Sequence, residues 1–112
     1  MRSEQVLQRQ TVGIVGFGNF GQFWARVLSA DHAILVTDRR DVTEQAAAIG
    51  ARAVNLADLC RAAQVIFLCV PINQVEATVQ EVAPLVQPGT LVMDTCSVKV
   101  HPAQVFERYL AD

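Results

Sequence analysis

The sequence predicts an α/β fold: a doubly wound parallel sheet of five or more strands with helices on both faces. Short β-branched runs alternate with longer amphipathic stretches, which is typical of strand–helix–strand units. The 112 residues match the size of one domain. Hydrophobic residues make up 52% of the chain and charged residues 18%, so the chain is expected to bury a core rather than to be disordered.

The apolar runs predict five strands that are linked by helices. The strands are expected at residues 11–15, 33–37, 52–54, 65–70 and 91–93. The helices are expected at residues 19–30, 42–49, 56–62, 73–86 and about 102–110. Because crossovers between parallel strands are right-handed, the first strand should be central, with the fourth beside it. Residues 1–10 are polar and are expected to form a flexible lead-in to a domain over 11–112.

Charge and cysteine usage argue against several classes of function. Nine basic and eleven acidic residues give a net charge of −2, which is not typical of a nucleic-acid-binding protein. The apolar runs are far shorter than the roughly 20 residues of a membrane span. The first residues lead into no signal-peptide-like apolar region, so the cytoplasm is the expected compartment. Three cysteines without a CxxC motif predict neither a disulfide framework nor a metal site.

Apolar residues at helical spacing mark the first predicted helix. They are Phe20, Phe23, Trp24, Val27 and Leu28. This spacing predicts that the aromatic group packs in the core rather than against a ligand.

A glycine-rich loop, GxGxxG, directly follows the first predicted strand and opens the first predicted helix. In that context the first glycine permits a tight turn, the second lets the backbone approach a pyrophosphate, and the third lets the helix pack closely. The helix N-terminus would then present free N–H groups to the phosphates. The predicted cofactor-binding residues of this loop are Gly16, Phe17, Gly18, Asn19, Phe20 and Gly21. The loop therefore predicts a Rossmann-like, dinucleotide-binding domain.

The end of the second predicted strand carries residues of opposite charge. Asp38 stands near the position, about 20 residues beyond the loop, where a carboxylate accepts the adenosine ribose hydroxyls and repels a 2′-phosphate, which favours NAD. Arg39 and Arg40 leave NADP open, because guanidinium groups pair with phosphate. Alternatively, the two arginines lie in solvent and pair with Asp41 or Glu44.

Two further loops should reach the same edge of the sheet. Cys69, Val70 and Pro71 follow the fourth strand and would wall the ribose and nicotinamide part of the cofactor site. After the fifth strand, Ser97 would project its hydroxyl towards the place where nicotinamide meets substrate. A hydrolytic role for Ser97 is not expected, since the sequence offers neither a glycine elbow nor a base.

With these residues in place, the chain resembles the cofactor-binding domain of the prephenate/arogenate dehydrogenases, oxidoreductases of tyrosine biosynthesis. The resemblance rests on residues 15–23, on Cys-Val-Pro at 69–71, and on Asp-Thr-Cys-Ser-Val-Lys at 94–99. It implies hydride transfer from the cyclohexadienyl ring of the substrate to nicotinamide, with loss of the ring carboxylate. By the family pattern, Ser97 would position the substrate near its ring hydroxyl and Lys99 would support the loop.

The resemblance also implies what this chain would lack. The family has a later Gly-x-His-Pro motif and a C-terminal helical domain that closes the substrate site and forms the dimer, and both would lie beyond Asp112. His101-Pro102 does not fit the motif, because Lys99 stands where the motif has glycine. We therefore expect this chain to bind NAD or NADP without turnover, and to meet the cyclohexadienyl substrate only with the second domain present.

The sequence leaves two other functions open. One is a non-catalytic module that binds or senses a nicotinamide dinucleotide. The other is the cofactor domain of a different dehydrogenase, such as a 3-hydroxyacid dehydrogenase. Self-association is expected in either case, because the last predicted helix carries apolar residues that the rest of the chain need not cover.

Overall fold

A computed structural model describes residues 10–95, which form a five-stranded parallel sheet. The strands are β1 (Thr11–Val15), β2 (Ala33–Thr37), β3 (Ala51–Ala53), β4 (Val65–Leu68) and β5 (Leu91–Asp94). Their order across the sheet is β3-β2-β1-β4-β5, and every neighbouring pair is parallel. This confirms the doubly wound fold, with β1 central and β4 beside it. The predictions for Ser97, Lys99 and the last helix lie outside the described residues.

Four helices and one 3-10 turn connect the strands. They are α1 (Asn19–Leu28), α2 (Thr43–Ala48), α3 (Leu56–Ala62), the 3-10 turn Ile72–Gln74 and α4 (Val75–Val82). The fourth predicted helix, 73–86, is therefore too long at both ends. Pro84 explains the early stop, because a proline supplies no N–H to continue the helical hydrogen bonds and its ring clashes with the preceding turn. In the structure, Ala83 is the C-terminal cap of α4.

The core consists of two apolar layers, one on each face of the sheet. On one face, Ile66 and Leu68 of β4 pack with helix residues Leu59, Val75 and Val79. The other layer is formed by buried residues of β1, β2, α1 and α2, namely Val12, Ile14, Ile34, Val36, Ala25 and Ala46, and by Phe17. Successive strand residues alternate between the faces, so α3 and α4 cover one face and α1 and α2 the other. The carboxyl ends of β1, β2 and β4 remain open between these layers.

The prediction that the apolar group of α1 packs in the core is confirmed for Trp24 and Leu28 and wrong for the other three residues. Phe20, Phe23 and Val27 are 46%, 51% and 47% exposed. The small residues Gly21 and Ala25 are the buried positions of α1, and they bring the helix close to the sheet. The larger side chains Phe20, Phe23 and Val27 therefore lie beside this contact and stay about half exposed. Helical periodicity identified an apolar face, but it could not show how much of that face the sheet covers.

Trp24 is the aromatic side chain of α1 that reaches the sheet. It is half-buried and meets Phe67 of β4 edge-on, with ring centroids 5.5 Å apart. Phe20 stacks on the outer side of Trp24 at 6.0 Å. No helix within residues 10–95 is long and apolar enough to cross a membrane.

Candidate functional site

A cavity of about 520 Å³ lies at the carboxyl edge of the sheet, between the ends of β1, β2 and β4. This is the point at which the strand order reverses, where open α/β sheets bind their ligands. Eight of the predicted site residues line it: Gly16, Gly18, Asp38, Arg39, Arg40, Cys69, Val70 and Pro71. The structure thus brings residues from three separate loops to one cavity. Their contact with a cofactor stays a prediction.

The three glycines of the loop have different structural roles. Gly16 has a positive φ of 98°, and a Cβ there would lie 2.6 Å from the backbone oxygen of Cys69. A Cβ on Gly21 would collide with the backbone oxygen of Gly16. Both glycines are therefore required by the fold itself. Gly18 has a φ of −80°, and a Cβ there would meet no atom within 4 Å.

The space beside Gly18 fits a phosphate group. Gly18 is the N-terminal cap residue of α1, and no side chain caps this helix end. The first turn of α1 carries no acidic residue, so no carboxylate of the helix itself offsets the partial positive charge of its N–H groups. The bare backbone at Gly18 leaves room for an anion to approach these groups. The local chemistry therefore suits the pyrophosphate of a dinucleotide.

Four of the predicted loop residues do not line the cavity. The side chain of Phe17 is fully buried in the core, and Gly21 is buried against the loop. Asn19 and Phe20 are exposed in the first turn of α1. For Phe17 and Gly21, a direct role in cofactor binding would have to come from their backbone atoms.

Asp38 is bound on both carboxylate oxygens to groups of the protein. Its Oδ2 accepts a hydrogen bond from the backbone N–H of Phe17 at 2.6 Å. Its Oδ1 accepts from the backbone N–H and from the Nε–H of Arg40, each at 3.0 Å. The Nη2 group of Arg40 donates to Asp38 Oδ2 and to the Phe17 carbonyl, both at 3.2 Å. Asp38 and Arg40 therefore tie the end of β2 to the glycine loop.

These contacts correct the expected pairing of Arg40. The alternative interpretation of the sequence paired it with Asp41 or Glu44 in solvent, but Arg40 folds back onto Asp38, two residues earlier. Asp41 instead accepts hydrogen bonds from the backbone N–H of Thr43, the first residue of α2, at 3.1 Å and from its hydroxyl at 2.7 Å. The carboxylate of Asp41 is thus bound to Thr43, and the guanidinium of Arg40 pairs with Asp38. Arg39 is exposed and lines the cavity.

The ion pair changes the acidity of Asp38. Hydrogen bonds from the Arg40 side chain lower the pKa of Asp38 to about 2 from its usual value of 3.8, although partial burial opposes this shift. The backbone N–H groups of Arg40 and Phe17 lower the pKa further. Asp38 is therefore ionised at neutral pH, and its ionised form contributes to stability.

Asp38→Asn is expected to destabilise the domain at neutral pH but much less in strong acid. Because folding lowers the pKa of Asp38, its contribution is present above about pH 4 and is lost as the pH falls through about 2. Since Arg40 is exposed and solvent screens the pair, we expect a loss of about 1–2 kcal/mol at neutral pH. Urea unfolding of both proteins across this pH range measures the difference. A gap that stays constant from neutral to strongly acidic pH would contradict the assignment.

The prediction missed a second wall of the cavity. It is formed by Leu56 at the start of α3, and by Gln74, Thr78 and Glu81 along α4 and the turn before it. The Thr78 hydroxyl is held by the Gln74 carbonyl at 2.8 Å. Residues 74, 78 and 81 share one face of a helix, but Asn73, Glu76 and Gln80 are polar too, so no polar spacing in the sequence singles out this face.

The described residues offer no metal site, and neither His32 nor Cys60 lines the cavity. Residues 10–95 contain no group of three or more His, Cys, Asp or Glu side chains that could hold a metal ion. His32 lies before β2, at the amino edge of the sheet, where its Nδ1 accepts a hydrogen bond from the backbone N–H of Gln10 at 3.2 Å. It is therefore on the side of the sheet opposite to the cavity. Burial raises the pKa of the Cys60 thiol, which does not favour a reactive thiolate.

A family model described as the nucleotide-binding domain of prephenate dehydrogenase matches residues 24–112. The chain belongs to this family. Arogenate dehydrogenase 1, chloroplastic, from Arabidopsis thaliana is 36% identical over 102 residues, which cover 88% of this chain and 16% of that protein. Arogenate dehydrogenase 2, chloroplastic, from the same plant is 35% identical over 103 residues, which cover 88% of this chain and 29% of that protein.

A solved structure supports the same family. The arogenate dehydrogenase of Synechocystis superposes with a TM-score of 0.80 at 27% identity, covering 88% of this chain and 37% of that one. The chain is thus a nicotinamide-dinucleotide-binding domain of an oxidoreductase family, as its glycine loop predicted. It spans less than a third of the length of the two Arabidopsis relatives.

Proposed function

We propose that this domain binds a nicotinamide dinucleotide across the cavity and presents it for hydride transfer in an arogenate or prephenate dehydrogenase. The observation that carries the proposal is the pairing of two binding features in one cavity. One is the open backbone of Gly18 at the start of α1. The other is the charged pair of Asp38 and Arg40 at the end of β2. Together they match the pyrophosphate and the adenosine ribose of a dinucleotide.

Each wall of the cavity has a distinct task in this proposal. The N–H groups at the start of α1 hold the pyrophosphate, and Gly18 leaves it room. Asp38 and Arg40 meet the adenosine ribose. Val70 and Pro71 shield the cofactor from water on the β4 side. The bound nicotinamide supplies the hydride acceptor, and the residues of this chain orient it.

The substrate that we propose is that of a complete dehydrogenase, with the second domain present. The names of the relatives and the family resemblance support a cyclohexadienyl substrate, prephenate or arogenate, which loses a hydride and its ring carboxylate and becomes aromatic, as tyrosine biosynthesis requires. Ser97 would position this substrate. We propose that the 112-residue chain alone binds the cofactor without turning over substrate. In support, His32, the histidine among the described residues, lies on the opposite edge of the sheet.

Two expectations from the sequence stay predictions beside this proposal. They are the cytoplasmic location and the self-association of the chain. The names of the two Arabidopsis relatives include the word chloroplastic, which gives the cytoplasm no support.

A calorimetric titration of the 112-residue chain with NAD⁺ and NADP⁺ tests the proposed function. We expect one dinucleotide to bind per chain, and we expect no change in nicotinamide absorbance when prephenate or arogenate is added. A folded chain that binds neither dinucleotide would refute the proposal. Turnover by the pure chain would refute the assignment of catalysis to residues outside it.

A further inference from the structure

We propose that Arg40 determines cofactor choice by occupying the carboxylate of Asp38, so that the site favours a dinucleotide with a ribose 2′-phosphate over one with a free 2′-hydroxyl. The inference rests on the proposed function and concerns the adenosine end of the same cavity. An aspartate alone at this position would favour NAD. The structure shows that this aspartate is not alone.

The acceptor sites of the Asp38 carboxylate are already used by groups of the protein. An ionised carboxylate offers about four lone-pair sites. Four N–H groups already donate to it: the backbone N–H groups of Phe17 and Arg40, and the Nε and Nη2 groups of the Arg40 side chain. A ribose would bring two more hydroxyl donors. They find no free acceptor on Asp38 while Arg40 stays in place.

Of the four donors, the two on the Arg40 side chain are the ones that can leave Asp38. The two backbone N–H groups are fixed by the fold. The Asp38 side chain is 12% exposed, so it cannot turn away, whereas the Arg40 side chain is 65% exposed and can move into solvent. NAD must therefore displace the Arg40 side chain, and it replaces charge-assisted hydrogen bonds with hydrogen bonds from neutral hydroxyls.

Arg40 can donate hydrogen bonds to a 2′-phosphate without leaving Asp38. A guanidinium has five N–H groups. In the described residues, three of them are used by Asp38 and Phe17, through Nε and Nη2. The Nη1 group remains for a phosphate, and Asp38 holds the guanidinium at the cavity wall. Arg39, exposed on the same wall, adds a second positive charge.

Asp38 then has a different role from the one that its sequence position indicates, which is to accept the ribose hydroxyls. Its charge is offset by Arg40, so it repels a phosphate less than an unpaired carboxylate would. Its hydrogen bonds aim the guanidinium. Asp38 is then a positioning residue for Arg40, and Arg40 contacts the cofactor.

The test compares Arg40→Met with the control Arg26→Met by calorimetric titration of the 112-residue chain with NADP⁺ and NAD⁺. Wild type is expected to bind NADP⁺ more tightly. Arg40→Met should weaken NADP⁺ by about tenfold and tighten NAD⁺ several-fold, because Asp38 is freed for the ribose hydroxyls. Arg26→Met should leave the affinity for both dinucleotides unchanged, since Arg26 is exposed in the last turn of α1 and does not line the cavity.

A second measurement compares the binding of two smaller ligands, first to the wild-type chain. Adenosine 2′,5′-bisphosphate and AMP differ only in the 2′-phosphate, and wild type should bind the bisphosphate about tenfold more tightly. Arg40→Met should reduce that preference. If Arg40→Met leaves NAD⁺ affinity unchanged or weaker, or if wild type does not prefer the bisphosphate to AMP, the inference is wrong. If wild type binds no dinucleotide at all, the proposed function itself fails, so the two failures are distinguishable.

Discussion

Gly18→Val is expected to abolish dinucleotide binding and leave the domain folded. Gly18 has an extended backbone conformation that valine adopts readily, and a Cβ there meets no protein atom within 4 Å. The branched side chain would instead fill the space where the pyrophosphate approaches α1. We expect the dissociation constant to rise at least about a hundredfold. Calorimetric titration measures binding, and thermal unfolding followed by circular dichroism checks the fold.

Gly18→Ala serves as the graded control for this experiment. Its single methyl group should weaken binding less than valine does. Valine is a poorer N-terminal cap than glycine, so a stability loss of about 1 kcal/mol is expected for Gly18→Val and does not count against the interpretation. Undiminished cofactor affinity in a folded Gly18→Val protein would show that the pyrophosphate does not lie beside this residue.

Gly21→Val is expected to have the opposite effect, a large loss of stability. A Cβ on Gly21 would collide with the backbone oxygen of Gly16. Because backbone cannot yield as a flexible side chain can, α1 must move away from the sheet and disturb the packing of buried Ala25 and Phe17. We expect a loss of about 3 kcal/mol in the free energy of unfolding, measured by urea denaturation.

Arg26→Val is the matched control for this loss. Arg26 is exposed on the same helix, so its replacement measures the helix propensity of valine alone, a cost of about 0.5 kcal/mol. If Gly21→Val proved no less stable than Arg26→Val, α1 would not approach the loop as closely as the structure shows.

The contrast between these two glycines shows what a sequence motif can and cannot tell. The sequence predicted the glycine loop and its separate tasks. It could not show how tightly the backbone constrains each glycine, namely that a Cβ would collide with backbone atoms at Gly16 and Gly21 but would meet no atom at Gly18. That distinction depends on the distance between α1 and β1, which the sequence does not encode locally.

Elements with clear boundaries were predicted from the sequence to the residue. The strands β1 and β2 and the helix α3 have the predicted bounds. In the structure, Asn55 Oδ1 accepts a hydrogen bond from the backbone N–H of Asp58, which caps the start of α3. The helix α4 was predicted too long, since its apolar spacing continues past Pro84. Periodicity reports which face is apolar, but a single proline decides where the helix ends.

The candidate site was predicted where it follows strand ends. Parallel strands bring their carboxyl ends to one edge, so Gly16, Asp38 and Cys69 could be placed together without a structure. The wall formed by α4 could not, because helix residues reach the cavity only through tertiary packing. Nor could the Asp38–Arg40 pair, since a spacing of two residues at a strand end does not determine a side-chain conformation.

The central claim is that a dinucleotide lies across this cavity, and the titration proposed above tests it most directly when it is recorded by nuclear magnetic resonance. With the chain labelled in its backbone amides, NADP⁺ should shift the signals of Gly16, Gly18 and Cys69 most strongly. Signals at the amino edge of the sheet, such as those of His32 and Gln64, should not move. Shifts at the amino edge, with the glycine loop unchanged, would contradict the claim.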